Sequence, residues 1–129
     1  MLRIVVDTNV IVSAFLTPSG NPARIVDQIT AQKLQVCYSY DILMEYMEVL
    51  SRPRFKFNKD DCSNFTQGIK QFGRLVSPPA SNIVLQDEDD RCFYDVAKFC
   101  EAILITGNIK HFPTEQFIVT PTEFLDLVF

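Results

Sequence analysis

Short, continuous runs of apolar residues, separated by stretches of helical periodicity, constrain the fold of this chain most. Four runs stand out, namely "IVV" at 4–6, "LQVCYS" at 34–39, "ILIT" at 103–106 and "FIVT" at 117–120. Runs of this length without polar alternation are typical of strands that are covered on both faces. The segments between them are long enough for crossover helices, so the sequence predicts an α/β fold with a mostly parallel central sheet.

Capping residues and helical spacing define the intervening elements. Helices are expected from Asp7 or Thr8 to about Phe15, from Asn21 through Ala31, from Ser39 to the residues before Pro53, over 59–74, along "QDEDDRCFYDVAKFCEA" (86–102) and from Pro121 onward. A further short strand is expected at 83–85. At 129 residues, the chain is expected to form a single domain, 1–129.

Charge and cysteine content exclude several classes of protein. The net charge of −4 argues against a protein that coats nucleic acid through bulk positive charge, although a local basic patch remains compatible with it. The four cysteines form no CxxC pair, so neither a zinc site nor a thioredoxin-type motif is expected. No segment resembles a signal peptide or is apolar enough to span a bilayer, so we expect a cytoplasmic protein without membrane contact.

Polar residues follow or flank the predicted strands at one edge of the sheet. Asp7 ends the first run, Asp90 lies at the start of the helix that leads into "ILIT", and Asn108 follows that run. Glu45 lies in the helix after the second strand. Ligands of open parallel sheets bind at the carboxyl ends of the strands, so these four residues are expected to converge there.

Clustered carboxylates repel one another and need a cation to offset their charge. Oxygen-only ligands suit Mg²⁺ or Mn²⁺, which keep several waters and bind phosphate oxygens. Such a site hydrolyses phosphodiesters by activating a water molecule.

Each acid also has a purely structural explanation. Asp7 can be the N-cap of the following helix. Glu45 can be a solvated helix residue, as can Glu48. The "DEDD" run at 87–90 can stabilise the positive end of a helix dipole, an explanation that suits Glu88 best.

Three motifs and their spacing resemble the PIN domain. They are "VVDTNVIVSAF", "YDILMEYMEVLSRPRF" and "DEDDRCFYDVAKFCEAILITGNIKHF", and the similarity extends from residue 3 to residue 125. They are most similar to the VapC-like branch, the toxin components of toxin–antitoxin systems. The resemblance implies a three-layer α/β/α PIN-like sandwich and a Mg²⁺- or Mn²⁺-dependent ribonuclease.

The resemblance also assigns roles to individual residues. Asp7, Glu45 and Asp90 match the family's catalytic and metal-binding acids, and Asn9 and Thr106 match supporting positions that orient those ligands. The fourth acid of the family falls on Asn108, which supplies no charge and is expected to be a weak ligand. Asp87 or Asp89 is expected to compensate, with Asp87 as a weak ligand.

A basic segment follows the third expected helix. In "RPRFKFNK", Arg52, Arg54 and Lys56 alternate with phenylalanines, a pattern that suits either RNA binding or a solvated loop. The lone histidine, His111, is expected to pack at the surface beside Phe112 rather than to act at the site.

The sequence thus predicts an endoribonuclease, the toxin of a toxin–antitoxin pair. RNA is the expected substrate, and the resemblance implies a cognate antitoxin and a homodimer as partners. A non-catalytic PIN-like module that binds RNA or protein is the alternative, and Asn108 and the acidic charge support it. A phosphoacceptor signalling domain fits less well, because "VDTN" supplies one acid and "ITGN" supplies no lysine.

Overall fold

The computed structural model describes residues 1–129 and contains one five-stranded sheet. Its strands are β1 (Arg3–Val6), β2 (Gln35–Tyr38), β3 (Arg74–Leu75), β4 (Ile103–Ile105) and β5 (Ile118–Val119). All neighbouring strands are parallel, in the order β3-β2-β1-β4-β5. The predicted α/β class and its parallel sheet are confirmed.

Six helices flank the sheet. They are α1 (Thr8–Leu16), α2 (Asn21–Thr30), α3 (Tyr40–Leu50), α4 (Lys59–Phe72), α5 (Arg91–Cys100) and α6 (Pro121–Val128). The chain moves outward from β1 to β3 and then returns to the other side of β1 for β4. Because such crossovers are right-handed, this reversal places α5 on the face opposite the earlier helices and gives the three-layer sandwich. None of the helices is long and apolar enough to cross a membrane.

The central strands form the core, as their unbroken apolar runs predict. Ile4, Val5 and Val6 of β1 are fully buried, and so are the last two residues of β4. Val6 pairs with Ile105, so β1 and β4 end side by side. The residues that follow these two strands, Asp7 and Thr106, therefore emerge together at the carboxyl edge of the sheet.

Two of the predicted helix starts are confirmed by their caps. The Ser39 hydroxyl accepts a hydrogen bond from the Ile42 N–H at 3.3 Å and starts α3. Thr120 and Glu123 form a reciprocal capping box at the start of α6, with Thr120 directly before Pro121 and Glu123 two residues after it. These local interactions satisfy backbone donors that the first helical turn leaves unpaired.

The third strand is not where the sequence suggested it. Residues 83–85 form no strand, and β3 comes earlier, directly after α4. Gly73 makes this possible, because a Cβ there would lie 2.5 Å from the Ile69 carbonyl oxygen and 2.9 Å from the Tyr38 ring. Only a glycine lets the chain leave α4 so close to β2, and α4 accordingly ends at Phe72 rather than at residue 74.

Candidate active site

The centre of the candidate site is Asp7, which lies where the order of the strands reverses. Its N–H donates to the Ile105 carbonyl at 2.9 Å and extends the pairing of β1 with β4 by one residue. The Thr106 hydroxyl, which is fully buried, donates to Asp7 Oδ2 at 2.8 Å. Ligand sites of open parallel sheets form at such a point of reversal.

The carboxylate of Asp7 does not cap the helix that follows it. Asp7 occupies the N-cap position of α1, but its side chain makes no capping hydrogen bond, and only 6% of the residue is exposed. Burial raises the pKa of Asp7 to about 6, against the lowering effect of the Thr106 hydrogen bond. Repulsion from Asp90 and Glu45 raises it further. A carboxylate held in this way destabilises the fold, so the capping explanation does not account for it.

Glu45 is held beside Asp7 by the residue that follows Asp7 in the sequence. The Thr8 hydroxyl donates a hydrogen bond to Glu45 Oε2. The pKa of Glu45 is raised, mainly by burial and also by repulsion from Asp89 and Asp90. Sequence reasoning missed Thr8, although a hydroxyl directly after the acid at a helix start was a visible signal.

A buried tyrosine fixes the position of α3 relative to the carboxyl end of β1. The Tyr46 hydroxyl donates to the Val6 carbonyl, at the last residue of β1. Tyr46 is fully buried, so this contact is shielded from water. Because Tyr46 follows Glu45, it sets the position at which Glu45 reaches the edge of the sheet.

Asp90 brings the third carboxylate to the site from the start of α5. It ends a short 3₁₀ turn, Glu88–Asp90, and its Oδ2 atom is buried without a hydrogen-bond partner. Burial and repulsion from Asp87 raise the pKa of Asp90, and His111 lowers it. Burying a carboxylate oxygen without a partner costs free energy. A cation or a hydrogen-bond donor that binds Asp90 Oδ2 would offset that cost.

The expectation that His111 packs at the surface beside Phe112 is only half right. Its ring is 42% exposed, but Nδ1 lies 3.5 Å from Asp90 Oδ2. This distance is longer than an ordinary hydrogen bond, so His111 lies beside Asp90 without satisfying its buried Oδ2 atom. His111 lies in the turn Ile109–His111 after β4, at the same edge as Asp7, and this position was readable from the sequence.

The two predicted asparagines lie in the loop region around Thr106. Asn9 Oδ1 accepts a hydrogen bond from the Gly107 N–H at 3.2 Å and ties α1 to the residues after β4. The Asn108 N–H donates to the Thr106 hydroxyl at 3.0 Å. Asn108 thus supports Asp7 indirectly through its backbone, while its residue as a whole is exposed.

The other members of the "DEDD" run have separate roles. Asp87 Oδ1 accepts from the Asp89 N–H at 2.9 Å and caps the 3₁₀ turn. Glu88 forms an exposed ion pair with Arg91 at 2.7 Å. Asp89 lines a groove of about 510 Å³ together with Glu45. The structure therefore brings Asp89 towards Glu45 and Asp87 towards Asp90.

The predicted RNA-binding residues lie apart from these acids. Arg52, Arg54 and Lys56 follow the C-terminal end of α3, and Arg52 forms an exposed ion pair with Glu48 at 2.9 Å. They line or flank a different cavity from the groove beside Glu45.

The acid cluster, defined as Asp7, Glu45 and Asp90, fits a hydrated cation better than a closed cage. No group of three or more His, Cys, Asp or Glu side chains in the chain is close enough together to hold a metal ion by itself. Mg²⁺ is usually bound through one or two carboxylates and keeps its remaining waters. The oxygen-only donors, the unpartnered Asp90 Oδ2 and the raised pKa of Asp7 suit an ion bound in that way.

Comparison with known proteins places this arrangement in a family. The family model described as "PIN domain" matches residues 3–110. A protein of Methanocaldococcus jannaschii, named Uncharacterized protein MJ1680, is 33% identical over 110 residues, which cover 83% of this chain and 71% of that protein. The matched region includes all three members of the acid cluster.

Proposed function

Because this chain belongs to the PIN domain family, whose members are typically nucleases, we propose that it is a metal-dependent endoribonuclease. The observation that carries the proposal is the burial of Asp7 at the point where strand order reverses, near enough to Glu45 and Asp90 for their charges to raise its pKa. Carboxylates kept together against their mutual repulsion are typical of sites that bind a divalent cation and a phosphate.

The roles of the residues follow from their positions. Asp7, Glu45 and Asp90 would hold Mg²⁺ or Mn²⁺, with Asn108 and Asp87 as weaker contributors. Such an ion lowers the pKa of a bound water and polarises the scissile phosphate. Thr106 orients Asp7 and Thr8 orients Glu45, because each threonine hydroxyl donates a hydrogen bond to the carboxylate.

We further propose that the protein is the toxin of a toxin–antitoxin pair. The support is the similarity of its motifs to the toxin branch of PIN domains, which also implies a cognate antitoxin and a homodimer. The test is co-expression with the product of an adjacent small gene. Co-purification of the two proteins and loss of RNA cleavage in the complex are expected, and unchanged cleavage would remove the toxin assignment.

The nuclease proposal is tested by titrating Mn²⁺ calorimetrically into wild-type protein and into Asp90→Asn, with RNA cleavage measured on the same samples. We expect the wild type to bind Mn²⁺ and cleave RNA, and the variant to lose both. The matched control is Asp126→Asn, an exposed acid on α6 that should behave like the wild type. Cleavage by Asp90→Asn at the wild-type rate would overturn the assignment of this site.

A second candidate is a PIN-like module that binds RNA or protein without cutting it. The observations in its favour are an amide at the position of the fourth acid, Asn108, and the lack of a closed ligand cage. Metal-independent RNA binding with no cleavage products would support this alternative.

A further inference from the structure

A basic cavity lies outside the acid cluster, between the C-terminal end of α3, the turn that follows it and one face of α4. Its volume is about 560 Å³. Four basic side chains line it, namely Arg52, Lys56, Lys59 and Lys70, and no carboxylate does. In a chain with a net charge of −4, the lining of this cavity carries positive charge only.

Three of these charges have no acidic partner. Arg52 pairs with Glu48, but Lys56, Lys59 and Lys70 form no salt bridge in the structure. Lys59 and Lys70 line the cavity from one face of α4, with Ser63, Thr66 and Gln67 between them. Like charges that face a common cavity repel one another until an anion binds between them.

An aromatic stack supports the edge of this cavity. The Arg54 guanidinium lies 4.8 Å from the centre of the Phe55 ring, and Phe55 stacks on Phe57 at 5.0 Å with an interplanar angle of 7°. Phe57 in turn contacts Phe15 of α1 at 5.4 Å, which anchors the stack in the protein. A guanidinium plane supported in this way is a typical surface for stacking a nucleobase.

The backbone between the two phenylalanines is strained. Lys56 has a left-handed conformation, with φ 53° and ψ 33°, which is unfavourable for a residue with a side chain. The conformation lets Phe55 and Phe57 stack while Lys56 lines the cavity. Strain of this kind is often retained where it serves a binding site.

Helix α3 separates the cavity from the acid cluster, and the two lie on different sides of it. Leu50 lines the cavity and ends α3 five residues after Glu45, about 8 Å along the helix axis and about 140° around it, so the shortest path between them passes around the C-terminal end of α3. A single strand that occupies both places needs to span only a few nucleotides, within the usual site size of single-strand-binding proteins.

We propose that this cavity binds the phosphate backbone of single-stranded RNA, with a base stacked on Arg54, and so directs the substrate over the end of α3 towards Glu45. The inference rests on the proposed ribonuclease function, because it names how that function binds its substrate. Unpaired lysines select the phosphates, and the Arg54–Phe55–Phe57 stack selects an unstacked base.

The test measures binding of a fluorescein-labelled, unstructured 20-nucleotide RNA by anisotropy, in EDTA and over a range of KCl concentrations. The variant is Lys59→Gln/Lys70→Gln, since glutamine keeps the helix propensity of lysine. The control, Lys33→Gln/Lys98→Gln, makes the same change in net charge elsewhere on the surface. A second variant, Arg54→Lys, keeps the charge but removes the planar stacking group.

We expect the Lys59/Lys70 pair to weaken binding about tenfold and to reduce the slope of log K against log salt by about 1.4, since each phosphate contact on a single strand contributes about 0.7. Arg54→Lys should weaken binding several-fold with an unchanged slope. A Lys59/Lys70 variant that binds within twofold of the control, or a wild type that binds no RNA, would overturn the proposal.

The same samples separate this inference from the proposed nuclease function. Weakened binding by the Lys59/Lys70 pair in EDTA, together with no cleavage in Mn²⁺, would support the RNA site and remove the nuclease. Cleavage in Mn²⁺ with the same KM for pair variant and wild type would support the nuclease and remove this RNA site.

Discussion

The Thr106 hydroxyl donates a hydrogen bond to Asp7 Oδ2 at 2.8 Å, across 99 residues of sequence. The same hydroxyl accepts a hydrogen bond from the Asn108 N–H at 3.0 Å. Thr106 therefore joins the ends of β1 and β4 and partly compensates the buried charge of Asp7. Thr8 has the equivalent position at Glu45, to which its hydroxyl donates a hydrogen bond.

Thr106→Val should destabilise the metal-free protein by about 2 kcal/mol at pH 8, because it leaves a buried carboxylate and a backbone N–H without their partner. Urea unfolding in EDTA measures the change. In an Asp7→Asn background, Thr106→Val should lower the free energy of unfolding by less, since residue 7 then carries no charge for the hydroxyl to stabilise. Equal costs in both backgrounds would show that the hydrogen bond contributes nothing specific to Asp7.

Asp7→Asn should stabilise the metal-free protein at pH 8 while abolishing Mn²⁺-dependent cleavage. The pKa of Asp7 is raised from 3.8 to about 6, so its ionised form costs the fold about 3 kcal/mol, which the amide removes. Urea unfolding and an RNA-cleavage assay check the two effects. The control is Asp126→Asn on α6, and a less stable Asp7→Asn would contradict the prediction.

The stability of the metal-free protein should depend on Asp7 protonation between about pH 4 and pH 7. The folded-state pKa lies above the unfolded value, so the folded protein binds the extra proton and loses stability as the pH rises through 6. The advantage of Asp7→Asn over wild type should therefore fall by roughly 1.5 kcal/mol from pH 8 to pH 5. Unfolding curves at both pH values measure it, and a constant difference would refute the raised pKa.

Thr8→Ala should weaken Mn²⁺ binding and cleavage about tenfold, because Glu45 loses the hydroxyl that orients it. Thr8→Ser keeps the donor and should stay close to wild type. Calorimetry gives the Mn²⁺ affinity, and single-turnover cleavage gives the rate. If the serine variant is as impaired as the alanine variant, the effect is one of packing and not of the hydrogen bond.

Gly73→Ala should destabilise the protein by about 2 kcal/mol, because the added Cβ meets the Ile69 carbonyl oxygen at 2.5 Å. Gly68→Ala, inside the helix that Gly73 ends, is the control. Nothing lies within 4 Å of a Cβ there, so it should stabilise the protein by about 0.5–1 kcal/mol. Thermal unfolding compares the two variants, and similar melting temperatures would contradict the close approach at Gly73.

Much of the architecture was accessible from local signals. The apolar runs predicted β1, β2, β4 and β5, and Ser39 and Pro121 marked helix starts that the structure confirms. Strand β3, which was predicted at the wrong place, shows the limit of such signals. Arg74 and Leu75 of β3 are exposed at the edge of the sheet and have no apolar pattern, so the apolar residues 83–85 were the better candidate by composition.

The "DEDD" run shows the same limit within the site. The sequence does not distinguish four consecutive acids, and only the 3₁₀ turn determines what each side chain contacts. Asp87 caps the turn, Glu88 pairs with Arg91, and Asp90 turns inward beside His111. The positions of His111 and Thr8 at strand and helix ends were readable from the sequence, but their contacts with Asp90 and Glu45, 21 and 37 residues away along the chain, were not.

The sequence by itself determined the order of strands and helices along the chain, because periodicity and capping act between residues a few positions apart. It also determined which acids lie at strand or helix ends. Only the tertiary structure decided that Asp7 is buried, that Thr106 and Thr8 hold the acids, and that three lysines face one cavity. These properties depend on desolvation and on contacts between distant segments, which exist only once the sheet has brought its strand ends together.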